Sequence, residues 1–302
     1  MGSLEGKAAA VTGAGRGIGR AHVLQLAAAG AAVIVNDVDG DEAERVASEV
    51  RERGGQAAAS TADIATQAGA EELVRQCVTA FGKIDVLVAN AGIARDKTFL
   101  KMTEEDFTAV WKVHVMGTFF TCQAAAKQMV EQGHGGVLLT TTSAAHFGNF
   151  GQTNYAAAKG AIASMTYTMA MELARYGIRV NGISPAGTTR LSATFKGPDG
   201  KERPMPFIDP ELNGPMLVYL ASDEGNYISG QVFGTGADRL TLLAQPQYAH
   251  GMVKPGGWTL DDIRKHFRSN LGNRLEPLGV QKRPYPWYDG IKPPAKEGGV
   301  GM

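Results

Sequence analysis

Cysteine is scarce in this chain: Cys77 and Cys122 are the only two in 302 residues. Both fall in helical patterns, and neither has the partners or spacing of a metal site. A disulfide-stapled scaffold is excluded, no metal is expected, and the two read as reduced packing residues of a cytoplasmic protein. An excess of one charge is missing too, because 30 Lys and Arg face 30 Asp and Glu. No basic field marks a nucleic-acid or anionic-membrane partner. No uninterrupted apolar run is long enough to cross a bilayer. The opening M-G-S-L-E-G has neither an apolar signal core nor the Ser or Thr at position six that a myristoylation signal prefers. No internal repeat is visible.

What remains is an ordinary globular composition, 44% hydrophobic and 20% charged, long enough to bury a large core. Residues 7–37 read as strand, glycine turn, helix, strand. The turn is T-G-A-G-R-G-I-G, with Gly13, Gly17 and Gly19 followed by the helical stripe Leu24, Leu26 and Ala29. Glycines between a first strand and a helix let a pyrophosphate approach backbone N–H groups at a helix start, with Arg16 and Ile18 beside it. Asp37 ends the second strand, where a carboxylate accepts from ribose hydroxyls and repels a 2′-phosphate. That favours NAD over NADP, although Arg16 could meet such a phosphate.

Helix and strand keep alternating. Helices are expected over 41–53, 68–81 and 104–132, and strands over 56–61, 84–89, 137–142 and 178–183. Asp63-Ile64 follows the third strand, where it would flank an adenine. Asn90-Ala91-Gly92 follows the fourth, where small residues let backbone pass close to a cofactor. Such alternation specifies an α/β fold, a doubly wound, Rossmann-like parallel sheet with helices on both faces and ligands at the strands' carboxyl ends.

At one of those ends the chain reads S-A-A-H-F-G-N-F-G-Q-T-N-Y-A-A-A-K, from Ser143 to Lys159. Tyr155 and Lys159 are four apart at a helix start, so they share one face. A free phenol has a pKa of about 10, and a cation one turn away should lower it. Phenol and ammonium then form a proton donor and acceptor, and the Ser143 hydroxyl can hold an alcohol or ketone oxygen. The trio has no place for a hydride, which a bound dinucleotide would accept.

These motifs, with N-G-I-S-P at 181–185, resemble those of the short-chain dehydrogenase/reductase family over about residues 5–236. The resemblance implies alcohol oxidation or carbonyl reduction with NAD(P). It implies Tyr155 as acid/base, Lys159 on the nicotinamide ribose and Ser143 on the substrate oxygen. Two positions depart from the family pattern. His114 stands where an Asn usually joins a proton relay, and Pro185-Ala186 replaces Pro-Gly, leaving Thr188 or Thr189 to meet the nicotinamide amide. V-H-x-x-G-T-F, N-A-G-I-x-R-D and G-N-F-G-Q-T-N-Y-A-A-A-K are similar to the branch that holds the (3R)-hydroxyacyl-CoA dehydrogenase domain of multifunctional enzyme type 2. Related bacterial enzymes act on acyl-CoA thioesters and hydroxysteroids.

A catalytic domain is expected over 1–236, with a substrate lid over 188–215 that mixes Leu191, Phe195, Met205, Phe207 and Ile208 with Arg190, Lys196, Lys201 and Arg203. Residues 237–302 form a C-terminal extension on the same domain or a neighbouring subunit, with Thr259-Leu-Asp-Asp262 as a helix start. Its aromatics and the apolar residues Phe119, Phe120, Met165 and Met169 point to a homodimer or homotetramer. The substrate is a 3-hydroxyacyl-CoA or a hydroxysteroid; a dinucleotide sensor without turnover is the reading from another class.

Overall fold

Short apolar segments rich in Ala and Val make the strands, and Gly or capped turns start the helices between them. The chain runs β1 (Ala8–Thr12), α1 (Gly17–Ala28), β2 (Ala32–Asn36), α2 (Gly40–Glu52), β3 (Ala57–Ser60), α3 (Gln67–Phe81) and β4 (Val86–Ala89). It continues through α4 (Glu104–Trp111), a π-helical turn over Lys112–Met116, α5 (Gly117–Gln132), β5 (Gly136–Thr141), α6 (Thr153–Leu173) and β6 (Ile178–Pro185). Then come α7 (Gly214–Ala221), β7 (Val232–Thr235) and β8 (Thr241–Leu242). This computed structural model describes residues 2–188, 207–280, 282 and 284–292.

The strands form one sheet in the order β3-β2-β1-β4-β5-β6-β7-β8. All neighbours are parallel except β7 and β8. The expected doubly wound parallel sheet is present, and β8 adds one antiparallel strand at its edge. Only a short link joins Thr235 to Thr241, and a parallel return needs a crossover of about a dozen residues. Strand alternation divides the core. Ala9, Val11, Val33 and Val35 face one way with residues of α1, α2 and α7, whereas Ala8, Ala10 and Ile34 face α3, α5 and α6. Both faces being covered, the strands read as continuous apolar runs. The order reverses between β1 and β4, which opens a crevice at their carboxyl ends.

The single helix expected over 104–132 is interrupted. Thr103 caps α4 in a capping box with Asp106, and the π turn carries His114, 1% exposed, before α5 begins. An apolar stripe does not reveal one wide turn, because its spacing changes for a few residues only.

The chain divides into two compact units, Met1–Leu243 and Ala244–Met302. In the second, Thr259 caps α8 (Leu260–His266) through a capping box with Asp262, as T-L-D-D suggested. Trp258 meets His266 edge-on, and Tyr285 meets Trp287 and Tyr288 at 5.5 and 5.2 Å. Among its described residues only Gly272 is buried. Among the described residues of the chain, no helix is long and apolar enough to cross a membrane, and no cluster of His, Cys, Asp and Glu is arranged for a metal.

One core residue is anomalous. His22 of α1 is fully buried, and neither ring nitrogen has a hydrogen-bond partner among the described residues. Burial pushes its pKa down to about 3. Its charged form is therefore suppressed in the folded chain, while the unfolded chain takes up the proton near 6.5. Stability from this site is full above about pH 6.5 and falls as pH drops toward 3. We predict that His22→Leu loses about 2 kcal/mol less than wild type between pH 7 and pH 5. Urea unfolding at the two pH values measures this; parallel losses in both proteins would refute it.

Candidate active site

The glycine turn after β1 is held from β4. Thr12, 2% exposed, accepts from the N–H groups of Asn90 and Ala91 at 2.9 and 3.0 Å through Oγ1. Asn90 Nδ2 donates to the carbonyls of Thr12 and Gly13 at 2.9 and 3.1 Å. Asn90 thus spends its side chain on the turn. A Cβ at Gly19 would lie 2.1 Å from the Gly13 carbonyl, so helix and turn meet only through glycine. Gly17, at φ +53, opens α1 in the left-handed region that glycine tolerates.

On the side of β2, Asp37 lies at the strand's carboxyl end. Its Oδ2 accepts from Gly15 N at 3.0 Å and its Oδ1 from Asp39 N at 3.1 Å. Each oxygen keeps a lone pair for a further donor. Arg16 turns to Asp39 and Glu42, at 2.6 and 3.1 Å. The cation that could have met a 2′-phosphate is already paired, and three carboxylates line this corner. Asp63 uses Oδ1 on Ala65 N at 3.0 Å. Ile64 is 5% exposed and packs against Gly117, so its side chain belongs to the core and only its backbone is left to offer.

At the end of β6, Pro185 pairs with Thr235. Thr188 N donates to Ile208 O, and Ile208 N donates to Thr188 Oγ1, both at 2.8 Å. Phe207 and Ile208 are exposed and half-buried. Thr189 and the expected lid residues Arg190, Leu191, Phe195, Lys196, Lys201, Arg203 and Met205 lie outside the described residues.

Between these arms the structure gathers Ser143, Tyr155, Lys159 and His114. Ser143 Oγ accepts from Ala145 N at 3.2 Å, leaving its proton to donate, and it pulls the Tyr155 pKa down. Lys159 is 2% exposed, donates to Thr141 O at 2.7 Å, and lies 5.5 Å from the centre of the Tyr155 ring. His114 packs edge-on against Tyr155 at 5.2 Å. The Nε2 of His114 lies 3.0 Å from Ile93 N and 2.9 Å from Ile93 O, so its tautomer decides which bond forms. A Cβ at Gly92 would sit 2.2 Å from the His114 ring, which explains the small residue in N-A-G. His114 Nδ1 and Thr141 Oγ1 are buried without partners among the described residues.

Burial dominates the electrostatics. It pushes Lys159 down to about 7 and His114 down to about 3, with the Lys159 charge adding to the latter. His114 is neutral at physiological pH. The expected lowering of the Tyr155 pKa by Lys159 is not what this structure has. Burial raises it, the Ser143 hydrogen bond opposes the rise, and the charge of Asp96 adds to it. A phenolate leaving water loses more than the Ser143 hydroxyl returns.

Three polar residues here went unnoticed in the sequence. Asn154, 1% exposed, donates to the carbonyls of Arg95 and Asp106 at 2.9 and 3.2 Å and accepts from Tyr155 N at 2.8 Å. Gln152 donates to Asp96 at 2.7 Å. The loops after β4 and β5 are thereby tied around Tyr155. Their signal was present in the R-D and Q-x-N-Y of the motifs, without any hint that the two stretches bond each other.

A family model described as short chain dehydrogenase matches residues 7–196. Hydroxyacyl-CoA dehydrogenase ChsB1 of Mycobacterium tuberculosis is 35% identical over 90% of both chains. Peroxisomal multifunctional enzyme type 2 of Mus musculus is 37% identical over 92% of this chain, which spans 39% of that longer protein. A solved structure, 7α-hydroxysteroid dehydrogenase complexed with NADH and 7-oxo glycochenodeoxycholic acid, superposes with a TM-score of 0.68 at 33% identity, over 79% of this chain and 97% of that one. With the family model covering more than half of its length, the chain belongs to the short-chain dehydrogenase/reductases, oxidoreductases acting on CH–OH groups.

Proposed function

We propose that the chain is an NAD-dependent dehydrogenase that interconverts the hydroxyl and keto forms of 3-hydroxyacyl-CoA thioesters. The observation that carries the reaction is the Tyr155 ring 5.5 Å from the buried Lys159 ammonium, with Ser143 acting on the phenol, at the carboxyl ends of the strands. The substrate class rests on the likeness to a hydroxyacyl-CoA dehydrogenase along nine-tenths of both chains. The residues fit a dinucleotide: the turn from Gly13 to Gly19 admits backbone approach, and Asp37 offers acceptors for ribose hydroxyls. NAD is favoured over NADP because Arg16 is neutralised by Asp39 and Glu42. Gly92, Ala91, Pro185 and Thr188 border the nicotinamide side.

In the oxidative direction the Ser143 hydroxyl holds the substrate oxygen, and Tyr155 takes the alcohol proton. Lys159, held near 7 by burial, would when protonated place a cation beside the phenol and work against the rise that burial imposes on Tyr155. Neutral His114 orients the phenol ring from its edge and leaves Nδ1 for a proton path behind it. Bound NAD would supply the hydride acceptor.

The assay is NADH absorbance with a 3-hydroxyacyl-CoA, a 17β-hydroxysteroid and no substrate. Turnover of the steroid alone would replace the acyl-CoA reading, and turnover of neither would favour a sensor. Tyr155→Phe is expected to lower kcat by at least about a hundredfold, with NADH affinity nearly unchanged. Activity within tenfold of wild type would remove Tyr155 from the role.

For cofactor choice, Asp37→Ala should raise kcat/KM for NADP relative to NAD by about tenfold or more, through loss of a ribose acceptor and of repulsion. A wild type that already prefers NADP would overturn the assignment of Asp37.

A homo-oligomer is supported by the outer faces of α5 and α6. There Ala126, Val130, Leu173 and Tyr176 line a groove of about 450 Å³, and Met171 is 81% exposed. Light scattering should give at least twice the 31.8 kDa of one chain; a monomer at micromolar concentration would rule it out.

A further inference from the structure

Asn213 ends the 3₁₀ turn Pro210–Asn213, just before α7, and is fully buried. The apolar run that follows it, with Leu217 and Leu220 in the core, would accept a valine or leucine here on packing grounds. The carboxamide instead makes four hydrogen bonds, the full complement of the group. Its Oδ1 accepts from Ala186 N at 3.2 Å and from Thr235 Oγ1 at 2.7 Å. Its Nδ2 donates to Ala186 O and to Pro210 O, both at 2.9 Å. Both polar atoms of the Ala186 residue are thus read by one side chain. Gly236 makes room for this, since a Cβ there would lie 2.2 Å from Ala186 O and 2.9 Å from Asn213 Oδ1.

The segment so held runs from Pro185 to Thr188. Its start is fixed by pairing with β7 and by Asn213, and its end by the Thr188–Ile208 pair. Ala186 replaces the glycine usual in the family at this place, so the peptide's course is set by what grips it. The segment lies beside the trio: β6 is the neighbour of β5, and Thr142 N donates to Ile183 O at 2.7 Å immediately before Ser143. Asp37, by contrast, ends β2, three strand positions away across the sheet. A dinucleotide spanning both ends therefore has its reactive half here and its adenosine half at Asp37.

We infer that Asn213 is a positioning residue for the nicotinamide half of the cofactor: it fixes the Pro185–Thr188 segment without touching the ligand. The inference rests on the cofactor reading above. Loss of the carboxamide would take a partner from Thr235 Oγ1 and from the carbonyls of Ala186 and Pro210, leaving Ala186 N with Thr235 O alone, and the segment would shift to satisfy them. The adenosine side would not feel it.

The test titrates the full chain with NADH and, separately, with ADP-ribose, which has both phosphates and the adenosine but no nicotinamide. In Asn213→Val the Kd for NADH should rise about tenfold or more while that for ADP-ribose stays within about twofold. The KM for NAD should rise with little change in kcat. Equal weakening of the two ligands would mean a general structural role and would overturn the inference, as would no change in either. A wild type that binds ADP-ribose no more weakly than NADH would instead overturn the cofactor half of the reading on which this stands. Should Asn213→Val fail to fold, Thr235→Val carries the same comparison. It removes only the hydroxyl that orients Asn213, and a selective rise of about threefold for NADH is expected.

Discussion

Asn90 and Ala91 give four hydrogen bonds to Thr12 and Gly13 across the point where β1 and β4 part. This contact is the constraint on which the rest of the site depends. It fixes the glycine turn from behind and sets where Ala91 and Gly92 emerge. Gly92 then lies against the His114 ring, and His114 lies against Tyr155. The glycine turn and the Tyr155 phenol are thereby joined through a chain of close packings. A switch point supplies the crevice, but these four bonds decide its dimensions.

Burial then governs the chemistry. A buried lysine that donates to a backbone carbonyl is held near neutrality, and a phenol beside it is held protonated. Neither state suits catalysis by itself. The arrangement is poised rather than active: a positive charge brought close to Tyr155 would favour its phenolate, because interactions in a desolvated site are strong. The loops after β4 and β5 keep this poise by bonding each other through Gln152, Asp96 and Asn154, so Tyr155 is anchored from its backbone as well as by its ring.

Much of this was legible in the chain. The strand and helix pattern, the glycine turn and the Ser143, Tyr155, Lys159 spacing are local signals, and the elements formed where periodicity placed them within a residue or two. Local signals failed where one segment's state depends on another. The π turn at His114 hides inside a continuous apolar stripe. The antiparallel β8 depends on a link too short for a crossover. Ile64 looked free beside Asp63 and is a core residue, because Gly117 lets it in.

The sequence by itself determined the fold class and which side chains the candidate site would gather, since helical and strand periods and residue chemistry are properties of a short stretch. Tertiary structure alone decided the direction of the Tyr155 pKa, the neutralisation of Arg16 by Asp39 and Glu42, and the grip of Asn213 on Ala186. Each of these depends on desolvation or on a partner between 23 and 27 residues away or farther, and neither distance through space nor exclusion of water is written in a spacing along the chain.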